Sequence, residues 1–480
     1  MERTERNLSM LTDFYELTMA GGYFENGRAE ETGIFDMFYR KNPDNAGFSI
    51  FAGLEQLIDY LNNLSFSDED IDYLREKKIF SEEFLRYLRG FQFSCDVWAM
   101  EEGTPMFPGE PIVIVKGPMI QAQLVETMVL LTINHQSLVC TKANRIVRAA
   151  AGRAVFEFGS RRAQSYDAAL LGARAAYIAG CAGTACVMAD RDYGIPALGT
   201  MAHSWIQFFD SEYEAFAAYA RLYPTSCTLL VDTYNVLSSG VPNAIRVFDE
   251  VLKPMGYRPN GIRIDSGDIA YLSKKARKML DDAGYPDVKI VASNSLDEYI
   301  IRDLLIQNAP VDIFGVGENL ITAKSCPVFG GVYKLVGVER DGRIIPKIKL
   351  SESSEKITTP HFKSLYRFFS QESGKAIADY ITLHSETVDV SDGIEIFDPV
   401  ATWKRRTLEN ITCKPMLKQI FRKGICIYHS PNIYTIRANC LAGVESLWDE
   451  EKRFEFPHVH YVDYSQALWN VKNDLLSAKR

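Results

Sequence analysis

The residues best suited to chemistry in this sequence are one histidine, several carboxylates and an arginine, each placed after an apolar run. His203 lies in "LGTMAHSW" (198–205), Asp232 ends "TLLVD", and "GIRIDSGD" contributes Arg263 and Asp265. A neutral imidazole nitrogen is a nucleophile near pH 7, and a carboxylate can orient the ring through its second nitrogen. Guanidinium groups bind phosphate or carboxylate through paired hydrogen bonds. This set of residue types is typical of an enzyme with anionic substrates.

Further polar residues and glycines follow the other apolar runs of the same region. They are Arg161, Arg162, Gly183, Thr184, Ser266, Asp268, Ser293, Asn294, Gly315 and Gly317. A Gly-x-Gly turn before a helix presents backbone N–H groups to a phosphate, and aspartates suit ribose hydroxyls or Mg²⁺. Each residue also has a structural interpretation as a turn, a surface ion pair or a helix cap. We expect Ser266 and Asp268 to serve as cap and first-turn residues of the next helix. The residues alone therefore indicate a sugar-phosphate enzyme that uses Mg²⁺.

Short apolar runs separated by amphipathic stretches must position these residues. The predicted strands are "VFEFG" (155–159), "AYIAG" (176–180), "PALGT" (196–200), "TLLVD" (228–232), "GIRID" (261–265), "KIVAS" (289–293), "DIFGV" (312–316) and, as a candidate eighth, "VYKLVGVE" (332–339). Residues 268–284 read as a helix, and Ser295 with Glu298 has the spacing of a capping box before another. Apolar strands alternating with helices are typical of parallel strands buried on both faces.

The fold class that follows is α/β, with an irregular, TIM-like (β/α) barrel at its centre. We expect the barrel to span residues 131–345, with its chemistry on the loops that follow the strands. Residues 1–130 mix helices with strand-like segments and predict an N-terminal α+β domain. Residues 346–480 lose the repeat and predict a C-terminal α+β extension that packs on the N-terminal domain.

Composition excludes several classes of protein. The chain of 480 residues is 47% hydrophobic and 24% charged, and its formal net charge of -9 argues against nucleic-acid binding. No segment reads as a signal peptide or a membrane span, so we expect no membrane partner. The nine cysteines form no CxxC pair, and no His or Cys spacing indicates zinc. A reduced, cytoplasmic location is the resulting prediction.

Eight segments resemble those of the nicotinate phosphoribosyltransferase family, a type II phosphoribosyltransferase family, in the same order. They are "LTDFYELTMA" (11–20), "FYRKNP" (38–43), "FAGLEQ" (51–56), "EFGSRRAQ" (157–164), "LGTMAHSW" (198–205), "RIDSGD" (263–268), "FGVGENL" (314–320) and "KLSESSEKIT" (349–358). The resemblance implies that nicotinate, phosphoribosyl diphosphate and ATP give nicotinate mononucleotide, diphosphate, ADP and phosphate, as part of NAD salvage. It also implies a homodimer whose subunits share active sites.

The resemblance also assigns roles to the residues introduced above. His203 matches the histidine that ATP phosphorylates in this family, with Asp232 as the candidate orienting partner. Asp265 is expected to stabilise positive charge on the ribose or to hold a ribose hydroxyl. Phe158 resembles one wall of a stacking slot for the pyridine ring, and Tyr15 of the partner subunit resembles the other.

The remaining candidates are binding residues. Arg161 and Arg263 are expected to hold the nicotinate carboxylate or substrate phosphates, and Gly315 and Gly317 the 5-phosphate. The other predicted substrate-binding residues are Thr184, Ser266, Gly267 and Asn294. Mg²⁺ is expected to neutralise the departing diphosphate without fixed protein ligands. Ala185 stands where nicotinamide-using relatives carry an acidic residue, which favours nicotinate.

Three alternative functions deserve comparison. A nicotinamide- or quinolinate-using phosphoribosyltransferase is nearest, although the quinolinate enzyme needs no ATP and is much shorter. A non-catalytic binding or regulatory member of the family would not need the His203 and Arg–Asp set. An unrelated barrel aldolase would need a Schiff-base lysine at a strand end, and the strand ends named above contain none.

Overall fold

The structure is a computed structural model that describes residues 6–353 and 356–478. Ser354 and Glu355, within the "KLSESSEKIT" segment, lie outside the described residues. The chain divides into two compact units, one formed by residues 139–327 and the other by residues 1–138 together with 328–480. The segments expected to form the N-terminal domain and the C-terminal extension therefore belong to one unit.

The 139–327 unit is built on a parallel sheet of six strands. In spatial order the strands are Gly183–Thr184, Ala154–Glu157, Ile313–Val316, Lys289–Ser293, Gly261–Ile264 and Thr228–Leu230. A single parallel bridge from Thr184 to Ala197 extends the first edge. This is the cyclic order of a barrel, but no pairing between described residues joins Ala197 to Thr228–Leu230. The pairings among the described residues thus do not confirm the irregular, TIM-like barrel expected from the repeat.

Three of the expected barrel strands are wrong. Residues 196–200 contribute only the bridge at Ala197 and form no strand. Residues 176–180 were expected as a strand but lie at the end of the helix Tyr166–Ile178, because a short buried apolar run reads alike as helix or strand. The strand that replaces them is the two-residue Gly183–Thr184. "VYKLVGVE" does form a strand, Val332–Arg340, but it pairs antiparallel with Thr32–Phe38 in the other unit. Its lack of a polar ending agrees with that position.

Helices cover the six-stranded sheet. They are Tyr166–Ile178, Val187–Tyr193, His203–Phe208, Glu212–Leu222, Val241–Val247, Ile269–Asp282, Glu298–Ile306 and Glu318–Ile321, with π-helical turns Val236–Gly240 and Phe248–Leu252 and a 3₁₀ turn Ser160–Arg162. Asp268 caps Ile269–Asp282 by accepting the Tyr271 N–H at 3.0 Å, as expected. The predicted capping box is wrong, because Asp297 caps the next helix and Glu298 is buried against Lys142 and Arg145.

The 1–138 and 328–480 unit contains a seven-stranded antiparallel sheet. Its spatial order is Arg343–Pro346, Val332–Arg340, Thr32–Phe38, Val113–Pro118, Asp96–Ala99, Lys418–Arg422 and Ile425–Cys426. A four-stranded sheet runs Ile411–Pro415, Lys363–Ser370, Ala376–Leu383 and Val462–Tyr464, and two small hairpin sheets pair Ile394–Phe397 with Arg405–Leu408 and Ser49–Ile50 with Pro105–Met106. Strands from both chain ends share the larger sheet, so the two segments fold as one unit.

The helices of this unit surround its sheets. They are Phe14–Glu25, Leu54–Asn63, Asp68–Glu76, Glu82–Arg89, Met119–Leu124, Ile433–Glu445 and Gln466–Ala478, with a 3₁₀ turn Pro43–Asn45. The long helix Glu126–Ala149 begins in this unit, and its last turns belong to the 139–327 unit. Among the described residues, no helix is both long enough and apolar enough to cross a membrane.

Candidate active site

His203 and Asp232 lie within hydrogen-bond distance of each other, although the segment before His203 is bridged to one edge of the six-stranded sheet and Asp232 follows the strand at the other edge. His203 begins the helix His203–Phe208, and Asp232 follows the strand Thr228–Leu230. The His203 Nε2 atom lies 3.2 Å from Asp232 Oδ1. The imidazole is 40% exposed, whereas the Asp232 side chain is 1% exposed. A buried carboxylate therefore holds one nitrogen of a ring that is itself partly exposed.

The second carboxylate oxygen of Asp232 binds the next strand end. Oδ2 accepts the Asp265 backbone N–H at 3.2 Å and the Ser266 hydroxyl at 2.5 Å. Both oxygens of Asp232 are therefore engaged, and the orientation of the carboxylate is fixed before any ligand binds. The loop after Gly261–Ile264 is held to His203 through this one side chain.

The Arg263 guanidinium connects three segments: the loop at Thr200, the loop after its own strand and the end of the strand Lys289–Ser293. Its Nε donates to Ser293 Oγ at 2.9 Å, one terminal nitrogen donates to Thr200 Oγ1 at 3.1 Å, and the other donates to Asp265 Oδ1 at 2.9 Å. Ser293 also donates to Asp265 Oδ1. Arg263 is partly buried, and its charge is oriented by neutral hydroxyls and one carboxylate. Thr200 was not among the predicted site residues, although it stands directly after the glycine turn at 199.

Phe158 presents an aromatic ring beside Arg263. The guanidinium carbon of Arg263 lies 5.6 Å from the centroid of the Phe158 ring, within the range of a cation–π contact. Phe156 lies on the same side, with ring centroids 6.3 Å apart and an interplanar angle of 25°. The aromatic and cationic groups that a planar anion requires are therefore adjacent.

Glu157 is a buried carboxylate that sequence reasoning missed. It accepts the Thr184 hydroxyl at 2.6 Å and also accepts the Gly159 N–H. Burial raises the pKa of the Glu157 carboxyl, and these two donors oppose the shift. Thr184 is fully buried, so its hydroxyl serves Glu157 in this structure. An acidic residue closing the apolar run "AVFE" was the only signal for this role.

Two candidates occupy backbone conformations that favour their residue types. Gly267 has a φ of 76°, and an added Cβ would lie 2.8 Å from the Leu272 side chain. Asn294 has a φ of 90° and is followed by Ser295 at 48°, a left-handed pair at an exposed strand end. Asparagine tolerates that region better than most residues, and such strain is common at functional sites. Gly317 ends the strand Ile313–Val316 with φ -106° and ψ -102°.

Arg161 and Tyr15 are not part of this hydrogen-bonded set. Arg161 lies in the 3₁₀ turn Ser160–Arg162 with an exposed side chain, and within the described chain it has no hydrogen bond or ion pair. Tyr15 lies in the other unit, in the first turn of Phe14–Glu25, and is 44% exposed. Partial burial and the nearby Glu126 raise the pKa of its hydroxyl.

A metal ion has few candidate ligands here. Residues 6–353 and 356–478 contain no group of three or more His, Cys, Asp or Glu side chains arranged to hold one. Asp265 Oδ1 is taken by Arg263 and Ser293, whereas its Oδ2 has no hydrogen-bond partner among the same residues. One available carboxylate oxygen suits an ion that is bound mainly by substrate phosphates, as Mg²⁺ commonly is.

Family models match almost the whole chain. The nicotinate phosphoribosyltransferase N-terminal domain matches residues 10–134, the nicotinate phosphoribosyltransferase family matches 154–367, and the nicotinate phosphoribosyltransferase C-terminal domain matches 362–472. All the strand ends that form the site fall within the central match.

Individual relatives agree with these matches. A nicotinate phosphoribosyltransferase of Bacillus subtilis is 44% identical over 97% of this chain and 94% of its own length. The crystal structure of human nicotinic acid phosphoribosyltransferase superimposes with a TM-score of 0.85 at 28% identity, covering 97% of this chain and all of that one. A nicotinate-nucleotide pyrophosphorylase of Pyrococcus furiosus, at 23% identity and a TM-score of 0.70 over 93% of this chain and 99% of its own, shares the fold.

Proposed function

We propose that this chain, which belongs to the nicotinate phosphoribosyltransferase family, transfers phosphoribosyl from phosphoribosyl diphosphate to nicotinate with ATP as co-substrate. The products are nicotinate mononucleotide, diphosphate, ADP and phosphate, a step of NAD salvage in the cytoplasm. The observation that carries the proposal is the chain of hydrogen bonds from His203 through Asp232 to Asp265 and Arg263. It joins a nucleophile to two charged groups suited to a ribose phosphate.

His203 is the proposed site of phosphorylation. Because Nε2 faces Asp232, the tautomer that donates Nε2–H to the carboxylate leaves a lone pair on Nδ1. Nδ1 attacks the γ-phosphorus of ATP, the bond to the β,γ-bridging oxygen breaks, and ADP leaves. Asp232 stabilises the positive charge that the phosphorylated ring gains. Water later hydrolyses the phosphohistidine, and that step releases phosphate and restores the imidazole.

The transfer step is proposed to use the neighbouring carboxylate. The pyridine nitrogen of nicotinate attacks C1 of the ribose while the bond from C1 to the diphosphate oxygen breaks. Positive charge builds on the sugar, and Asp265 stabilises it or holds a ribose hydroxyl. The Asp265 Oδ2 atom is the one available to Mg²⁺ carried by the diphosphate, an ion that supplies charge neutralisation for the leaving group.

Separate groups of residues are proposed to bind the pyridine ring, the carboxylate and the phosphates of the substrates. Phe158 stacks on the pyridine ring, with Tyr15 of the partner subunit on the opposite face in a homodimer. Arg263, oriented by three hydrogen bonds, binds the nicotinate carboxylate or a substrate phosphate, and the exposed Arg161 binds the other anion. Gly315, near the end of the strand Ile313–Val316, and Gly317, directly after that strand, bind the 5-phosphate through backbone N–H groups. Ser266, Gly267, Asn294 and Thr184 complete the set.

Ala185 is the proposed reason that the base is an acid and not an amide. It follows Gly183–Thr184 and has an exposed methyl group. A carboxylate at this position would accept a hydrogen bond from an amide and would repel the nicotinate carboxylate. Its absence, together with Arg263, favours nicotinate over nicotinamide.

A product assay tests the function. The protein is supplied with phosphoribosyl diphosphate, Mg²⁺ and either nicotinate or nicotinamide, with and without ATP, and both mononucleotide and ADP are measured. We expect turnover of nicotinate only, with a stimulation by ATP of about tenfold or more, equivalent to about 1.4 kcal/mol. His203→Ala should abolish ADP release and the stimulation while leaving slow transfer in place. Asp232→Asn should weaken the coupling of ADP release to phosphoribosyl transfer, but less than His203→Ala does, because the imidazole remains.

The other outcomes contradict separate parts of the proposal. Turnover of nicotinamide would show that the argument from Ala185 is wrong. Coupled ADP release by His203→Ala would rule out the phosphohistidine. No turnover of either base would reject the assigned reaction.

A further inference from the structure

We propose that Gly315 is a positioning residue for base specificity, because its missing side chain provides the seat for the Phe158 ring. Sequence reasoning and the family resemblance place Gly315 at the phosphate. The contacts around its Cα atom indicate a different role, directed at the aromatic slot. The inference rests on the proposed function, since it concerns the slot in which nicotinate would stack.

A side chain at position 315 has no room. A Cβ atom built there would lie 2.4 Å from Phe158 Cδ2 and 2.6 Å from Phe158 Cε2, far inside van der Waals contact. Those two ring atoms are nearer to it than any others, so the Phe158 ring fills the space that a side chain would take. Gly315 is not among the positive-φ glycines, so its backbone conformation is open to other residues. Space for the ring, not backbone freedom, is therefore what requires glycine.

The Phe158 backbone is fixed on both sides. Its N–H donates to Val316 O at 2.8 Å, and the next residue, Gly159, donates its N–H to the buried Glu157 carboxylate. An added Cβ at Gly159 would lie 2.6 Å from Ile321, which leaves that turn no room to shift. Gly315 belongs to a central strand paired in register with Phe156 on one side and Ser293 on the other. A methyl group at 315 must therefore move the ring, because neither backbone can yield.

Movement of the Phe158 ring would change its distance from the Arg263 guanidinium. The guanidinium carbon lies 5.6 Å from the ring centroid, and the guanidinium itself is held by Ser293, Thr200 and Asp265. A ring stacked on Phe158 with its carboxylate at Arg263 needs both groups in their present positions. Gly315 therefore sets the distance between the aromatic wall and the cation that recognise a planar acid.

Gly315→Ala separates this role from phosphate binding. Alanine at 315 keeps its backbone N–H, so phosphate binding through that group should survive, whereas a glycine needed for close approach of the phosphate would weaken phosphoribosyl diphosphate binding once it carried a Cβ atom. We expect Gly315→Ala to raise the KM for nicotinate by about three- to tenfold, the range that a ring–ring contact is worth. The KM for phosphoribosyl diphosphate should change less than about twofold. Gly199→Ala is the matched control, because a Cβ there meets nothing within 4 Å.

Removal of the ring provides the second arm. In Phe158→Ala the seat is empty, so adding Gly315→Ala should raise the KM for nicotinate no further. If Gly315→Ala alone fails to fold, the Phe158→Ala/Gly315→Ala double variant should fold, with a thermal midpoint close to that of Phe158→Ala. Additive effects in the double variant, or a double variant that still fails to fold, would overturn the proposal. An increase confined to the KM for phosphoribosyl diphosphate would do the same.

A structural readout distinguishes failure of this inference from failure of the proposed function. 4-Fluorophenylalanine is introduced at position 158, and the ¹⁹F spectrum of the ligand-free protein is compared with and without Gly315→Ala. A changed resonance in Gly315→Ala, but not in Gly199→Ala, supports the seat even in a protein that turns over neither base. An unchanged resonance in both overturns the seat, whatever the wild-type enzyme catalyses.

Discussion

Glu16 is a buried carboxylate at the start of the helix that carries Tyr15. It accepts the Thr12 hydroxyl at 2.5 Å, the Thr127 hydroxyl at 2.5 Å and the Thr127 N–H at 3.1 Å. Burial raises the pKa of Glu16 from 4.5 to about 7, the three donors oppose the shift, and the nearby Glu126 adds to it. The segment that presents Tyr15 is thus tied to the helix Glu126–Ala149 through a group that titrates near neutrality.

Glu16→Gln should therefore change how stability depends on pH. A carboxyl whose pKa is higher in the folded state binds more protons when folded, so it lowers the free energy of unfolding as pH rises from about 4.5 to about 7. Glutamine cannot ionise, and the stability of the variant relative to wild type should rise over this window by up to about 3 kcal/mol. Thermal midpoints between pH 4.5 and 8 measure the effect.

The control for this prediction is Glu69→Gln, which removes an exposed carboxylate of the helix Asp68–Glu76. The thermal midpoint of Glu69→Gln should depend on pH in the same way as that of wild type. A parallel profile for Glu16→Gln as well would mean that Glu16 does not titrate within the window.

At the scale of elements, the four-stranded sheet is joined by a buried ion pair. Arg367 and Asp379 face each other across the strands Lys363–Ser370 and Ala376–Leu383, with two hydrogen bonds of 2.7 and 2.6 Å. His460 stacks on Phe107 at 3.8 Å and places Nε2 3.3 Å from Asp379. Although burial opposes it, the Arg367 charge lowers the pKa of Asp379 below its ordinary value. The pair remains charged inside the unit.

Asp379→Asn should destabilise this unit strongly. The substitution removes the carboxylate that makes two hydrogen bonds to the buried Arg367 guanidinium and leaves the more distant Glu110, at 3.9 Å, to face that charge, which costs about 3–5 kcal/mol in the free energy of unfolding. Glu395→Gln breaks an exposed pair with Arg405 in the same unit and should cost less than about 1 kcal/mol. Thermal midpoints at a fixed scan rate provide the comparison. Equal midpoints for the two variants would show that the buried pair contributes no more than a surface one.

At the scale of the whole molecule, the proposed site residues are distributed between the two units. His203, Asp232, Arg263, Asp265 and Phe158 lie in residues 139–327, whereas Tyr15 lies in the other unit. Tyr15 is exposed beside other exposed apolar residues of the same segment, Leu11, Phe14 and Met19. An exposed apolar group of this kind is typical of a surface that contacts another molecule. It is consistent with the proposed dimer in which each subunit supplies Tyr15 to its partner.

Mixing two variants that are impaired in the ATP-coupled reaction tests that dimer. Tyr15→Ala and His203→Ala each impair this reaction at every site of their own homodimers, whereas a mixed dimer has one site with both residues intact. Equal co-expression should therefore restore ATP-coupled activity to about a quarter of wild type, as expected for random pairing in a two-fold dimer. Differently tagged subunits allow the mixed dimer to be isolated and assayed. Absence of restored activity in the isolated mixed dimer would place Tyr15 in the site of its own chain or outside the site.

The sequence predicted much of the central unit because parallel strands that are buried on both faces appear in the sequence as short, almost continuous apolar runs. Five of the expected strand positions, those near 155, 228, 261, 289 and 313, carry strands in the structure. The errors at 176–180 and 332–339 share one physical cause. A short apolar run reports burial, and burial alone does not distinguish a strand from a helix or one sheet from another. The predicted pairing of His203 with Asp232 needed only the order of the polar segments along the chain, although no strand pairing among the described residues joins the two segments.

The sequence by itself determined the family, the alternation of strands and helices, and the candidate residues, because residue types and local spacing are carried directly by the chain. Tertiary structure alone decided which atoms those residues use. The two oxygens of Asp232, the burial of Glu157 and the ring of Phe158 over Gly315 all depend on contacts between distant segments. Such contacts are set by packing in three dimensions, where the space left by a missing side chain decides what its neighbours can do.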